Sequence, residues 1–113
     1  MGAPSSDRAA IRQTLRALKA AGIRPTYAEY GGGDGEDVTG ATEDATIAAI
    51  MAVDDCYLIV DLPDGYHETH PGHGSHTTSH IRFVMGNDPD EVICDHGLSL
   101  SPVLDPLTES WWS

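Results

Sequence analysis

The sequence contains few of the large apolar side chains from which a protein core is built. Leu, Ile, Val and Phe together account for 22 of the 113 residues, while the formal net charge is −12. A chain this poor in apolar residues and this highly charged lies near the boundary between folded and disordered proteins. Three Met, four Tyr and two Trp add apolar area. We therefore expect one small domain over residues 1–113, with a thin core, a flexible N-terminus (1–5) and long loops.

The charges are divided unevenly along the chain. Five of the six Lys and Arg residues lie in the first 24 positions beside a single acid, Asp7, and the remainder holds 17 acids and one basic residue, Arg82. The negatively charged phosphate backbone of a nucleic acid repels this acidic remainder, which we call the acidic body. We therefore expect no direct nucleic-acid binding. A basic protein is the favoured partner, including a host protein that itself holds nucleic acid. Solubility alone is the more common role of an acidic surface, and it is the favoured alternative.

The N-terminal sequence, the length of the apolar runs and the cysteines bear on the cellular compartment. The opening residues, MGAPSSDRAAIR, do not resemble a signal peptide, and no apolar run has membrane-spanning length. We therefore expect a cytoplasmic protein without a membrane partner. In a reducing cytoplasm Cys56 and Cys94 are expected to be buried free thiols rather than a disulfide.

The clearest predicted element is a helix over residues 7–21. Ser6 is a suitable N-cap, and Gly22 is a natural stop. A basic stripe follows one face of this helix: Arg8, Arg12, Arg16 and Lys19. The stripe could meet an anion or a membrane, but we favour neutralisation of the acidic body or simple solvation.

Local patterns divide the middle of the chain into three further pieces. Residues 25–30 read as a strand, and the glycine-rich stretch 31–37 reads as a turn before a short return strand at Val38. Residues 42–58 follow a helical pattern with Thr42 as N-cap. The pattern leaves residues 56–62 open between the end of that helix and a buried strand.

The last third predicts a second hairpin and an irregular tail. Two strands, HIRFVMG and EVICDHGLSLSPV, flank the turn NDPD, and prolines are expected to end regular structure in an apolar tail over 103–113. The resulting order is helix, hairpin, helix, hairpin. We therefore predict an α+β fold with two helices packed on a mainly antiparallel four-stranded sheet.

The order of these pieces resembles a family of small proteins of unknown function from bacterial plasmids and phages. The resemblance is carried by LKAAGI, by EY followed by GGGDG, by the pair Cys56-Tyr57 and by HPG at 70–72. It covers the first half of the chain and fragments of the second, and the histidine run and the double-Trp tail depart from it. The resemblance implies a mobile-element origin and an α+β fold.

Five of the six histidines lie within a loop predicted over residues 64–80. Zinc and nickel bind imidazole well, so a metal site is one interpretation, with Glu68, Cys94 or His96 as additional ligands. A polar solvated loop is the other interpretation, and it is favoured because zinc sites usually combine two segments and cysteines. The candidate metal ligands are His67, His70, His73, His76 and His80.

No catalytic motif and no cofactor motif occurs, so we expect a non-enzymatic binding protein. Small acidic proteins of mobile elements often inhibit host nucleic-acid-handling defence proteins, as anti-CRISPR proteins and DNA mimics do. By that analogy, an acidic face would occupy a basic surface on the host protein. The candidate contact acids are Asp34, Glu36, Asp37, Glu43, Asp44, Asp54 and Asp55.

Two tryptophans near the end of the chain, Trp111 and Trp112, complete the candidate contact residues. Aromatic side chains often anchor interfaces. With Leu104 and Leu107 they could contact a partner, form a homodimer interface, or fold back to complete the core. The sequence leaves these alternatives open.

Overall fold

In the computed structural model, which describes residues 3–70 and 77–112, the first helix forms as predicted. Helix α1 spans Asp7–Ala20, and the Ser6 side chain caps it by accepting a hydrogen bond from the Ala9 N–H at 3.0 Å. Ile11 and Leu18 on one face are fully buried. The chain leaves the helix through Gly22, whose φ of +75° suits glycine.

Five strands and three further helices follow α1 in the described residues. In chain order they are β1 (Arg24–Gly31), β2 (Asp34–Asp37), α2 (Glu43–Ile50), β3 (Asp55–Asp61), α3 (Tyr66–Thr69), β4 (Thr78–Val84), β5 (Ile93–His96) and α4 (Ser101–Trp112). Single 3-10 turns cover Pro89–Glu91 and Leu98–Leu100. The strands form one antiparallel sheet with the order β2-β1-β3-β4-β5.

The predicted α+β class is confirmed, while the predicted element counts are wrong. The described residues form five strands and four α-helices, in place of four strands and two helices. One of the additional helices, α3, is a single turn. The predicted return strand is present, but it spans Asp34–Asp37 and ends before Val38, because the turn needs only the glycines 31–33, all with positive φ.

The prediction of a helix through residue 58 is wrong. Helix α2 ends at Ile50, and β3 follows in the centre of the sheet. Cys56, Leu58 and Val60 are fully buried, whereas Tyr57 between them is exposed. This two-residue period belongs to a strand with one covered face, which explains why the short apolar run is not helical.

The predicted irregular tail is instead the helix α4. Pro102 is tolerated in its first turn, where a backbone N–H has no helical partner. Pro106 lies inside the helix and removes one hydrogen bond. Burial of Leu104 and Trp111 against the rest of the core offsets that loss. The strand before this helix is also shorter than predicted, and its Cys94 is exposed rather than buried.

A single core lies between one face of the sheet and the long helices. Its sheet side is formed by buried residues of the three central strands, and its helix side by buried residues of α1, α2 and α4. Helix α1 contacts both α2 and α4. The sheet residues are Ala28, Cys56, Leu58, Val60, Ile81 and Phe83.

The predicted loop 64–80 is bounded by regular structure at both ends. Residues Tyr66–Thr69 form α3, and the last three positions belong to β4. Pro4, in the segment predicted to be a flexible N-terminus, is buried, while residues 1–2 lie outside the described part of the chain. Among the helices described, none has the length and apolar character needed to cross a bilayer.

Candidate interaction surface

The β1–β2 hairpin presents three of the predicted contact acids at the edge of the sheet. Asp34, Glu36 and Asp37 are all exposed, and we call them the hairpin acids. Their strand lies close to β1 because Gly35 has no side chain. A Cβ at Gly35 would lie 2.6 Å from Cζ of the Tyr27 ring and 2.5 Å from the Ala28 carbonyl oxygen. The hairpin therefore holds the three carboxylates at strand spacing.

One hairpin acid is fixed by its own backbone. The carboxylate Oδ1 of Asp37 accepts a hydrogen bond from the Thr39 N–H at 2.8 Å. This hydrogen bond lowers the pKa of Asp37, because it favours the charged carboxylate. The hydrogen bond therefore stabilises the negative charge that Asp37 contributes to this edge of the sheet.

Two other predicted contact acids, Glu43 and Asp44, are engaged inside the molecule. Arg12 donates from Nη1 to Glu43 Oε1 at 2.9 Å and from Nη2 to Asp44 Oδ1 at 3.2 Å. Arg16 Nε donates to Glu43 Oε2 at 3.1 Å, and Arg8 lies 3.6 Å from Asp44. The hydrogen bond from Arg16 is the main cause of a lowered pKa at Glu43. Three residues of the basic stripe, Arg8, Arg12 and Arg16, thus pair with acids of α2, in agreement with the favoured interpretation that the stripe neutralises acidic residues.

The neighbouring acids Asp54 and Asp55 have different environments. Asp55 is paired with Arg82 of the adjacent strand β4, with two hydrogen bonds of 3.0 and 2.6 Å. Asp54 is exposed and lies just before the start of β3, the strand that begins with Asp55. Of this pair, Asp54 has the more available charge.

The sheet face away from the helices adds acidic and aromatic residues that the sequence prediction missed. Because residues directly opposite in antiparallel strands share a face, the register places Glu29 beside Tyr57, and Tyr57 beside Arg82. Asp37 lies opposite Tyr27 in the same way. We call this set the open face: Tyr27, Glu29, Asp37, Tyr57, Ile59, Asp61, His80, Arg82 and Asp95. In the sequence, the signal for this face is the alternation of these residues with buried residues along each strand.

The two tryptophans have opposite environments. Trp111 is buried, and its Nε1 donates to Gln13 Oε1 at 2.8 Å, so it completes the core. Trp112 is 64% exposed, and its Nε1 donates to the Asp90 carbonyl oxygen at 3.2 Å. Of the pair, Trp112 is available for a partner.

A carboxylate cluster unrecognised in the sequence lies beside Trp112. One oxygen from each of Asp88, Asp90 and Glu91 can lie within 4.8 Å of the others, a donor set suited to a hard divalent cation. It also concentrates negative charge on this side of the molecule.

The candidate histidine ligands are only partly described. His70 stacks on the Tyr66 ring with centroids 4.5 Å apart, and His67 meets the same ring edge-on at 5.5 Å. His80 belongs to β4 and lies 5.9 Å from the Tyr57 ring. In the described segments, potential metal ligands converge at Asp88, Asp90 and Glu91 and at no histidine. His73 and His76 lie outside the described residues, so the zinc or nickel site stays a prediction.

Comparison of the chain with protein-family models, with curated proteins and with solved structures finds no significant match. The distribution of charge and of exposed aromatic residues is therefore the basis on which a function can be proposed.

Proposed function

We propose that this protein is a non-enzymatic acidic binding protein that occupies a basic surface of a partner protein. The observation that carries the proposal is the excess of carboxylates over cations after internal pairing. Of the 18 carboxylates and six Lys and Arg residues, the described ion pairs of the four arginines use three carboxylates and four cations. Outside these pairs stand 15 carboxylates and two cations, a surface that attracts a basic partner.

The hairpin acids are the proposed centre of the contact. They are exposed, lie on an edge strand, and make no ion pair with a Lys or Arg residue in the parts of the chain described. Glu29 and Asp37 extend the charge onto the open face, where Tyr27 and Tyr57 add aromatic area. Glu43, Asp44 and Asp55 contribute less, because arginines of the same chain already satisfy them.

The proposed partner is a host defence protein that handles nucleic acid, and the proposed effect is inhibition of the anti-CRISPR or DNA-mimic type. Such proteins carry basic grooves for phosphate backbones, so an acidic protein can compete for the same surface. The resemblance to small plasmid and phage proteins supports a mobile-element origin. It is also the reason for placing the partner among host defences.

The test uses a CRISPR-carrying bacterium in which plasmid interference is scored with and without the full chain. The wild type is expected to relieve interference, and the triple variant Asp34→Asn, Glu36→Gln, Asp37→Asn is expected not to. A matched variant, Asp64→Asn, Glu68→Gln, Asp105→Asn, removes the same charge elsewhere and should retain the effect. Binding to the purified effector should weaken as salt rises.

Three results would contradict the proposal. Interference that the wild type does not relieve removes the proposed target class. Equal loss in both triple variants means that overall charge acts rather than the hairpin. Salt-independent binding means that the acidic surface is not the contact.

A further inference from the structure

A cavity of about 640 Å³ opens between α1, the start of β1 and the loop that joins β2 to α2. This volume lies within the range of small-molecule sites in proteins. Apolar side chains form much of its wall: Leu15, Ile23, Pro25, Val38 and Ala41. The cavity lies beside the hairpin that carries the proposed protein contact, and it shares one lining residue, Asp61, with the open face.

The wall formed by the loop is held in place by hydrogen bonds. The Thr26 carbonyl oxygen accepts from the Val38 N–H at 3.0 Å and from the Thr39 hydroxyl at 3.2 Å. The Ala41 N–H donates to the Val38 carbonyl at 3.0 Å. These backbone groups are satisfied within the protein, so the cavity is formed before any ligand arrives and offers mainly apolar contacts.

The charged residues at this cavity differ from those of the molecule as a whole. Lys19 and Arg24 line it, and across residues 3–70 and 77–112 they are the two cationic side chains outside every ion pair. Two carboxylates also line it: Glu43, which Arg12 and Arg16 neutralise, and Asp61. The cavity is therefore a local site of spare positive charge in a chain of net charge −12.

We propose that this cavity binds a small organic anion with an apolar body and a single carboxylate. The body would contact Ile23 and Val38, and the carboxylate would lie between Lys19 and Arg24. A polyphosphate ligand is disfavoured, because two cations beside one remaining carboxylate cannot neutralise several charges on a strongly acidic protein. This site is independent of the proposed function, since it uses none of the hairpin acids.

The test is an NMR titration of the full ¹⁵N-labelled chain with decanoate, with decanol and decyltrimethylammonium as neutral and cationic probes of equal chain length. Decanoate is expected to shift the amides of residues 23–26 and 38–41 and to bind more tightly than either other probe. Lys19→Gln should weaken decanoate binding about two- to fivefold, which is the effect expected when one exposed ion pair is lost. Arg8→Gln, which removes a cation from the same helix outside the cavity, should leave it unchanged.

A second variant separates the cavity from the surface around it. Ala41→Trp should fill the cavity and abolish decanoate binding, while the amide spectrum reports whether that variant is folded. The proposal is overturned if decanoate causes no shifts at the cavity, or if decanol binds equally well. It is also overturned if Lys19→Gln and Arg8→Gln have equal effects, because the anion would then sense only net charge.

Discussion

Arg82 and Asp55, on neighbouring strands, form an ion pair with two hydrogen bonds, from Nε to Oδ1 at 3.0 Å and from Nη2 to Oδ2 at 2.6 Å. The guanidinium carbon also lies 5.6 Å from the centroid of the Tyr57 ring. The hydrogen bond from Arg82 is the main cause of a lowered pKa at Asp55. This arrangement orders the open face around a balanced pair in an otherwise acidic region.

Asp55→Asn is expected to lower the free energy of unfolding by about 0.5 kcal/mol at pH 7, since both partners are partly exposed and screened by solvent. A depressed carboxyl pKa contributes stability above the unfolded value near 4, and the contribution is lost as the pH falls through the folded value. The difference from wild type should therefore shrink below about pH 4. Urea unfolding across this range measures it. Asp54→Asn is the matched control, and an equal loss there would show that the ion pair is not responsible.

The pairing of α1 with α2 predicts a salt-sensitive stability. Arg12→Gln removes hydrogen bonds to Glu43 and Asp44, so the urea midpoint should fall. The fall should be smaller in about 0.5 M salt, where charges are screened over a few ångströms. Arg24→Gln makes the same change in net charge without breaking an ion pair. Should both variants lose equal stability at low salt, net charge rather than the network would be the cause.

The opposite environments of the two tryptophans predict unequal losses of stability. Trp111→Ala removes a buried ring and its hydrogen bond to Gln13, and should cost about 3–5 kcal/mol. Trp112→Ala removes a mostly exposed ring, and should cost less than about 1 kcal/mol. Urea unfolding of the two variants compares them directly. Similar losses would contradict the placement of Trp111 in the core.

Local signals were sufficient to predict α1, but they failed where tertiary packing decides. Ser6 and Gly22 mark the helix boundaries without reference to the rest of the fold. Residues 56–60 are too short a run for apolar content to separate helix from strand, and the central position in the sheet decides it. Pro102 and Pro106 suggested a stop, yet burial of the α4 apolar face outweighs the lost hydrogen bond.

The candidate site was likewise predictable from sequence only where local signals decide, and not where tertiary packing does. The excess of carboxylates and the exposure of the hairpin acids are predictable from sequence, because a glycine-rich turn at a sheet edge faces solvent. The pairing of the other acids is not. Glu43 is 31 residues from Arg12, and only the packing of α2 on α1 brings them together. The open face also required the strand register, which places Glu29 beside Tyr57.

The two cysteines are expected to differ sharply in reactivity. Cys56 is buried in the central strand, and desolvation by burial raises the pKa of its thiol to about 11. Only about a thousandth of such a thiol is ionised at pH 8, and the thiolate is the reactive form. Cys94 is exposed on β5. A disulfide reagent should therefore modify the Cys94 thiol rapidly in the native protein and the Cys56 thiol only as the protein unfolds.

The matched variants assign the two phases. Cys94→Ser should remove the rapid phase and leave the slow one, and Cys56→Ser should do the reverse. Adding urea should accelerate the slow phase in parallel with unfolding, because access to Cys56 requires the sheet to open. Rapid modification of both thiols in the folded protein would mean that β3 is not the covered central strand, and the sheet order β2-β1-β3-β4-β5 would then be wrong.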